Sequence, residues 1–505
     1  MGIRTAWREL WKSNPRPIRK RTFAGAKLDR LTSGWVRTTN SADSALKGDI
    51  KKLRNGSRQL VNDVDYCKQA VRNVVDNIVG TGVKLQSQIR MQRGGKLDTK
   101  MNSVVERAWK EWGYKDSCNT AGKLCFDDIT RLAVHSMVQD GECFIRIIRG
   151  KKFGRSTVPL ALEVLEADMC DEDYTGKSTN KNQEWRMGVL VNEWQRPMKY
   201  AFFSRHPGDT MFIQSPSSKD THVIVDAKDV IHLYRVERPG QTRGIPWMSS
   251  SLNRMHHIEG YEEAEVVRAR LGSSLMAFIQ SPEGELTGDE VIDDDRVFDM
   301  SPGAIRYLAP GESVNVPTFD APDGQFEPFL RAMLRALAAG IGCSYESISR
   351  DYSQTNYSSS RLSLLQDQEA FKALQYQLRE NFLSIVFDEW LEAAVLSGTL
   401  QLPTYLDEPN KYKMVKWLFR GCGCVDPMKE VQSAKEAIRA GLKTQSQVIA
   451  EMGGDLEELL MARKNEIDMA SELGLEFDTE VKANTQESSN IETTPKENYE
   501  EKACL

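Results

Sequence analysis

The sequence has 505 residues, of which 40% are apolar and 28% charged, with a net charge of -5. This length allows several domains, and the composition supports a sizeable core and excludes a wholly disordered chain. No run approaches the roughly 18–20 uncharged apolar residues that span a bilayer. The basic N-terminus is not followed by the apolar core of a signal peptide. We therefore expect a cytoplasmic protein that does not enter a membrane.

The charge is unevenly distributed. Residues 1–30 contain nine Lys and Arg residues against Glu9 and Asp29, whereas the chain from Glu451 onward contains fifteen acidic and five basic residues. A basic start and an acidic end suit a protein that meets a polyanion at one place and repels it at another. Two solvated tails are the simpler explanation.

The first half of the chain changes its hydrophobic period. Helical spacing of apolar residues predicts helices over 48–79, 99–112 and 126–140. Short β-branched and aromatic runs, bounded by turn residues, then predict strands within 141–236. This part of the chain is therefore expected to be a β-rich layer after a helical start.

Two helices of moderate length flank a different kind of segment. The helical period returns over 247–272 and again over 326–341, and the stretch 273–325 between them is rich in Pro, Gly and Asp with brief strand patterns. This order suits a small β-rich domain that projects on two helices.

The second half begins with a polar stretch, 342–360, dense in Ser and Tyr. The longest helix follows over about 360–397 and ends at Gly398, and a last helical domain starts at Asp426-Pro427, where Asp suits the N-cap and Pro the first helical position. The composition of the tail from 479 is typical of disorder.

The long helix over about 360–397 has apolar residues at helical spacing, which predict one buried face. These residues are Leu365, Phe371, Leu374, Leu378, Phe382, Ile385, Trp390 and Leu391.

Catalytic motifs are weak. Gly176-Lys177-Ser178 resembles the end of a phosphate-binding loop, but Asp171 stands where that motif needs glycine. The acidic run Glu262–Glu265 lies among arginines at helical spacing, which ordinary ion pairs explain. We therefore predict no catalytic residue and no enzymatic activity.

Metal sites are equally unsupported. His256 and His257 are neighbours on a predicted helix and point about 100° apart, so they cannot hold one ion together. Cys422 and Cys424 lack two further ligands nearby. We predict neither a bound metal nor a cofactor.

Three ordered blocks, with a weaker match nearer the start, resemble the lambda-type family of bacteriophage portal proteins. The strongest blocks are 238–247 (RPGQTRGIPW), 342–361 with its Gly-Cys-Ser-Tyr-Glu start and Asn-Tyr-Ser-Ser-Ser-Arg end, and 425–430 (VDPMKE) followed by Gly441–Thr444. The earlier match lies in Ala70–Asn73, Gly80–Gly82 and Asp140–Glu142. The resemblance covers about residues 45–475.

The resemblance implies an α+β portal fold with an α/β wing, a two-helix stem, a small β-rich clip, a long tunnel-lining helix and a helical crown. Applied to this chain, it predicts nine segments: a mobile basic arm at 1–47, the wing at 48–247, stem helices at 248–272 and 326–341 around the clip at 273–325, a channel loop at 342–360, the long helix and wing return at 361–425, the crown at 426–478 and a disordered acidic tail at 479–505.

The implied function is that of a head-to-tail connector. Such a subunit forms a homo-oligomeric ring, typically of about twelve copies, at one capsid vertex of the virion. Double-stranded DNA passes through it during packaging and ejection without sequence specificity. The implied protein partners are the major capsid protein and scaffold, the terminase large subunit and then the head–tail adaptor, with no membrane. The clip is the expected docking surface, and its acidic run Asp293, Asp294 and Asp295 is a candidate contact, although a solvated loop explains it more simply.

The channel loop is the expected DNA contact. Every phosphate that a protein neutralises adds affinity that resists sliding, so a polar loop with few charges suits a channel. We predict that the residues approaching the DNA are Arg350, Gln354, Asn356, Tyr357, Ser358 and Arg361. An alternative is that the segment Asn356–Arg361 only caps the long helix.

Two other functions are possible. A head-associated nuclease or maturation enzyme needs a compact acidic or His-based site, which the spacing does not specify. A host nucleic-acid-binding module needs a concentrated basic face, whereas the isoelectric point of this chain is about 5.9. The ordered blocks favour the portal function over both.

Overall fold

A computed structural model describes most of the chain. The residues it describes are 39–91, 95–180, 182–209, 222–273, 278–280, 313–315, 326–421 and 427–474. Within these ranges, no helix combines the length and the apolar character that crossing a membrane requires.

The described helices dominate both halves of the chain. In chain order they are α1 Ala42–Leu46, α2 Ile50–Asp63, α3 Asp65–Ile78, α4 Thr99–Trp112, α5 Lys115–Cys118, α6 Phe126–Gln139, α7 Leu252–Ser273, α8 Phe326–Ile341, α9 Tyr345–Ser349, α10 Tyr357–Leu378, α11 Ser384–Leu396, α12 Pro409–Tyr412, α13 Pro427–Arg439, α14 Gln445–Glu451 and α15 Leu456–Glu472.

The described strands fall mainly between α6 and α7. They are β1 Lys84–Ser87, β2 Glu142–Arg149, β3 Leu160–Leu165, β4 Gly176–Lys177, β5 Gln183–Arg186, β6 Val189–Asn192, β7 Pro197–Phe203, β8 His222–Asp226, β9 Val230–Tyr234, β10 Phe278–Gln280, β11 Ser313–Asn315 and β12 Val415–Leu418.

These strands form a five-stranded meander β4-β5-β6-β7-β8, a three-stranded sheet β3-β2-β9, and the pairs β1-β12 and β10-β11. Strand β2 pairs with β9, and β7 with β8, both antiparallel. The α+β class predicted from the sequence is confirmed. The helices predicted over 99–112 and 326–341 have the predicted bounds.

The helix predicted over 48–79 is instead two helices, α2 and α3, separated at Val64. Val64 has extended backbone angles (φ -107°, ψ 114°), and Asp65 begins α3. The side chain of Val64 stays buried, so the break keeps the apolar pattern continuous. Valine and aspartate are weak helix formers, which lowers the cost of a break here.

The predicted mobile arm at 1–47 is wrong over its last residues. Ser41 caps α1 by accepting from the amide of Ser44 at 3.2 Å. The carboxylate of Asp43 accepts from the amide and hydroxyl of Thr242 at 2.8 and 2.6 Å. Because Leu46 is also buried, this stretch is a folded part of the chain. Residues 1–38 lie outside the described residues.

The predicted long helix is interrupted by a wide π-helical turn at Arg379–Leu383, between α10 and α11. A π turn adds a residue to the helical period, and the residues buried after it are Val386, Phe387, Trp390, Leu391 and Ala394. Ile385, predicted on the buried face, is therefore 40% exposed. Leu365 was also predicted on that face and is 50% exposed.

The described residues divide into two compact units, each discontinuous in sequence. Unit 1 is made of described residues within Met1–Val71, Leu132–Ile148 and Leu162–Ile341, and unit 2 of described residues within Arg72–Arg131, Arg149–Ala161 and Gly342–Leu505. These units therefore do not follow the predicted linear order of segments. Strand β2 begins in unit 1 and ends in unit 2, and strand β3 begins in unit 2 and ends in unit 1.

Unit 1 is organised around a fully buried carboxylate, that of Glu142 at the start of β2. The guanidinium of Arg243 donates to it at 2.6 and 3.0 Å, and Arg54 of α2 donates to it at 3.2 Å. His232 of β9 lies 3.0 Å away through Nε2, and the amide of Gly244 donates at 2.9 Å. Every oxygen of the buried group is thereby satisfied.

The network continues beyond Glu142. Arg54 also donates to Asp168 at 2.9 Å and to Glu172 at 3.3 Å, and both carboxylates are largely buried. Arg243 additionally donates to the carbonyls of Ala167, Cys170 and Met187. A helix, two strands and three loops are therefore joined by charge-assisted hydrogen bonds, which are stronger than neutral ones.

These contacts fix the ionisation of the network. Burial alone would raise the pKa of Glu142, but Arg243 and His232 outweigh it and hold that pKa well below its usual range. Burial lowers the pKa of His232, against the opposing effect of Glu142. At neutral pH we therefore assign an ionised Glu142 and a neutral His232 that donates from Nε2.

Two glycines let the backbone close around this network. Gly141 has φ +90°, and a Cβ on it would lie 2.4 Å from the carbonyl carbon of Ile245. A Cβ on Gly244 would lie 2.1 Å from the carbonyl oxygen of Gly141. Any side chain at either position would collide with backbone, so the segments 140–142 and 243–246 need glycine where they meet.

Unit 2 has an aromatic core. Trp109 of α4 lies within 4.9–5.9 Å, between ring centroids, of Phe126, Phe387, Trp390 and Trp417. Trp112, one turn later, donates from its indole nitrogen to the carbonyl of Leu160 at 3.0 Å. These large rings pack edge to face, and the apolar surface that they bury stabilises this unit.

Glu142→Gln should destabilise the protein strongly, because it leaves Arg54 and Arg243 buried without their shared counter-charge. We expect a loss of about 3–5 kcal/mol in the free energy of unfolding, measured by denaturant titration of the purified protein. Glu163→Gln is the matched control: Glu163 is partly exposed and 3.6 Å from Arg146, so its loss should stay below about 1 kcal/mol. Equal losses in the two variants would contradict the assigned role of the network.

Candidate functional site

The polar stretch predicted as a channel loop, 342–360, is partly helical. Gly342 follows α8 with φ +90°, and α9 then occupies Tyr345–Ser349. Arg350 ends α9 in the left-handed region at φ 58°. The first turn of α10 begins at Tyr357, so 357–360 belongs to the helix, and the non-helical parts of the stretch are 342–344 and 350–356. This ordering corrects the predicted loop.

A buried carboxylate anchors the start of this stretch. Asp367 of α10 is 7% exposed and accepts from the amide and hydroxyl of Ser344 at 2.9 and 2.7 Å, and from the hydroxyl of Ser347 at 2.7 Å. Asp367 and Ser344 line part of a polar cleft of about 340 Å³. Because Ser344 is the N-cap residue of α9, this carboxylate ties α9 to α10.

The irregular part is held by its own polar side chains. Asp351 accepts from the hydroxyl of Tyr345 at 3.0 Å and from the amide of Ser353 at 3.0 Å. Asn356 and Ser359 form a reciprocal capping box at the start of α10, with distances of 2.8 and 3.2 Å. The capping explanation considered for Asn356–Arg361 is therefore correct for these two residues, and it fixes the position of their neighbours.

The six predicted DNA-contact residues occupy one continuous stretch. Five of them, Arg350, Gln354, Asn356, Tyr357 and Ser358, are exposed, and Arg361 is half-buried. Four of the six lie on the first turns of α10 or at its cap, and Arg350 and Gln354 lie in the irregular part before it.

One cation near this stretch was missed from the sequence. The ammonium of Lys429, in α13, lies 5.9 Å from the ring centroid of Tyr357, within the range of a cation–π contact. The two residues are far apart in the chain, so no local pattern could have paired them.

The predicted docking residues Asp293, Asp294 and Asp295 lie outside the described residues. Of the clip segment, 273–325, the structure describes little beyond the strands β10 and β11. These pair antiparallel, with Ile279 opposite Val314. The strand pattern predicted for this segment is confirmed at that point.

One group of possible metal ligands occurs among the described residues: Glu166, Asp168 and His206. Asp168 already accepts from Arg54 at 2.9 Å and pairs with Arg58. Two guanidinium groups beside the carboxylate would repel a cation, so the chemistry of this cluster is that of an ion-pair network.

The buried cysteines are not activated nucleophiles. Burial raises the pKa of Cys67, Cys118, Cys143, Cys170 and Cys343 to about 12. At neutral pH these side chains are thiols, whereas nucleophilic attack needs the thiolate.

The residues Gly176-Lys177, considered as part of a phosphate loop, form the exposed strand β4 and do not begin a helix.

Comparison with known proteins decides the family. A family model described as "Phage portal protein, lambda family" matches residues 28–375, more than half of the chain. The chain belongs to the lambda family of phage portal proteins. As a portal protein it is a phage connector, and the family it belongs to is structural.

Similar portal proteins align over nearly the whole chain. A probable portal protein of Halomonas phage phiHAP-1 is 27% identical over 470 residues, covering 91% of this chain and 88% of that protein. Portal protein B of Escherichia phage lambda is 25% identical over 464 residues, covering 86% of each. A chain in the neck of an empty GTA particle aligns with a TM-score of 0.47 and 12% identity, covering 84% of this chain and 97% of that chain. At that score the structural likeness adds nothing to the sequence relation.

The capping role of Asn356 can be tested by two substitutions. Asn356→Ala removes the acceptor for the Ser359 amide and should cost about 0.5–2 kcal/mol. Asn356→Asp keeps an acceptor and places a negative charge at a helix N-terminus, so stability should be equal or slightly higher. The measurement is the thermal unfolding midpoint of each purified variant. A midpoint lowered equally by both substitutions would be inconsistent with capping.

Proposed function

We propose that this portal protein forms a closed homo-oligomeric ring, typically of about twelve copies, at one capsid vertex of the virion. Double-stranded DNA passes through the ring during packaging and ejection. The observation that carries this proposal is the family match, together with similarity to portal proteins along 91% of the chain. Assembly takes place in the host cytoplasm, and the chain itself catalyses no reaction.

The ring also serves as a docking platform. The clip at 273–325 binds first the terminase large subunit and later the head–tail adaptor, with Asp293–Asp295 as a candidate contact. The major capsid protein and the scaffold surround the ring during assembly. One interface used in succession suits a vertex at which packaging must finish before the tail is attached.

The stretch 350–361 is the proposed DNA contact. Its exposed side chains are mainly amides, hydroxyls and a tyrosine, which form hydrogen bonds to phosphates without strong charge. The capping box holds these groups at a fixed helix start, and Arg350 and Arg361 repeat around a ring as two positive belts. A few cations per subunit attract DNA while leaving it free to slide, because affinity rises with every phosphate neutralised. The role of α10 is then to position this surface along the tunnel.

The alternative is a head-associated nuclease or maturation enzyme. It would work as a monomer and turn over DNA in the presence of a divalent cation. The paired Arg54, Arg58 and Asp168 argue against a metal centre at the one cluster described above.

The native mass of the purified protein tests the ring. We expect closed rings of about twelve subunits by mass photometry, with a central hole in negative-stain images. Assembly only after addition of scaffold or terminase would also support the proposal. A chain that stays monomeric or dimeric at every concentration, with and without those proteins, would contradict it.

The charged belts are tested by the double substitution Arg350→Ala and Arg361→Ala. We expect rings to form and packaging or retention of DNA to fall, because two cations per subunit are removed from the channel surface. The matched control is Lys52→Ala with Lys199→Ala, which removes the same charge from exposed ion pairs in unit 1. Packaging and retention equal to wild type in the first variant would refute the belts, as measured by protection of DNA from nuclease in assembled heads.

A further inference from the structure

The C-terminal helical segment, residues 427–474, has almost no core of its own. Among its apolar side chains only Ala470 is buried. Large apolar side chains are instead exposed on α13, on α15 and just after the end of each of the three helices: Met428, Val431, Ile438, Leu442, Met452, Leu459, Leu460, Met461, Met469 and Leu473. Exposed apolar area on this scale marks a surface that another molecule covers.

The exposed residues of α13 follow a helical stripe. Met428, Val431, Lys435 and Ile438 recur at intervals of three, four and three residues, which is the spacing of a helix seam that packs on another helix. Met428 is 82% exposed and Val431 is 57% exposed. The stripe therefore faces away from the rest of unit 2.

Polar and backbone contacts join this segment to the rest of unit 2. Lys84 pairs with Glu458 at 3.3 Å, and Lys429 lies over Tyr357. A Cβ on Gly421 would lie 2.1 Å from the carbonyl carbon of Met452, so the backbone at Gly421 packs directly against the backbone at Met452. These contacts position the segment but bury little apolar surface, which is the main source of helix stability in proteins.

The two outer helices differ in charge. Helix α13 contains three basic and two acidic residues, a net charge of +1, whereas α15 contains two basic and five acidic residues, a net charge of -3. In a closed ring each subunit presents one face to one neighbour and a different face to the other. Opposite charge on two different apolar helices fits such a head-to-tail contact.

We infer that the occupant of this surface is a second copy of the chain: the α13 stripe of one subunit packs against α15 of the next, and the segment acquires its core only in the ring. This inference rests on the proposed ring. It assigns the C-terminal helices a shared core built from many chains, in which each subunit completes its neighbour.

Hydrogen exchange of full-length protein, read by mass spectrometry, tests this assignment. Peptides from α13 and α15 should be protected at least about tenfold more in wild-type rings than in unassembled subunits. In Val431→Ser with Ile438→Ser, the assembled protein should lose that protection in both helices, or fail to close. The matched control, Gln432→Ser with Glu436→Ser, changes exposed polar positions of the same helix and should retain it.

The outcomes separate this inference from the ring itself. Wild-type rings with equal exchange in rings and subunits, or Val431/Ile438 variant rings with full protection, would overturn the shared core and leave the ring standing. Loss of protection on deleting 479–505 from otherwise intact rings would identify the acidic tail as the occupant and also overturn it. A wild-type chain that never assembles would contradict both the ring and the shared core.

Discussion

In unit 1 the carboxylate of Glu142 is fully buried, and it stays ionised because Arg243 and Arg54 surround it and His232 and a backbone amide satisfy its second oxygen. Burying a charge is costly unless it is paired and fully hydrogen-bonded, so the elements that supply these partners must assemble together or not at all. Helix α2, strands β2 and β9 and the loop at 243–246 are therefore mutually dependent. The meander β4–β8 joins them through the carbonyl of Met187, which accepts from Arg243.

Much of the local structure could be predicted from the sequence. Helices α4 and α8 have strong apolar periodicity and clear ends, and their bounds agree with the prediction. The separation at Val64 and the π turn at Arg379–Leu383 could not be predicted, because apolar residues are buried on both sides of each and no breaker residue marks either position. The network around Glu142 could not be predicted from the sequence either. Its charged partners are 88 to 118 residues apart in the chain, and each charged residue alone resembles a surface residue.

The same limit applies to the candidate site. Composition correctly indicated an exposed polar stretch before the long helix, and the Asn356 cap was foreseen as an alternative. The pairing of Asp367 with Ser344 and Ser347 was not, because the sequence around a carboxylate inside a helix does not show which donors it accepts from. Local chemistry therefore indicated where the chain meets solvent, whereas the contacts that hold that surface in place depend on tertiary structure.

The long separation between Glu142 and Arg243 has a consequence during synthesis on the ribosome. A nascent chain exposes the acidic residue 101 positions before its main partner, which at bacterial elongation rates of about 5–20 residues per second is a delay of roughly 5–20 s. During that interval the carboxylate at the start of β2 lacks the guanidinium that pairs with it in the folded protein. Completion of the network around Glu142 is thereby timed by translation through residue 243, when nearly half of the polypeptide has been synthesised.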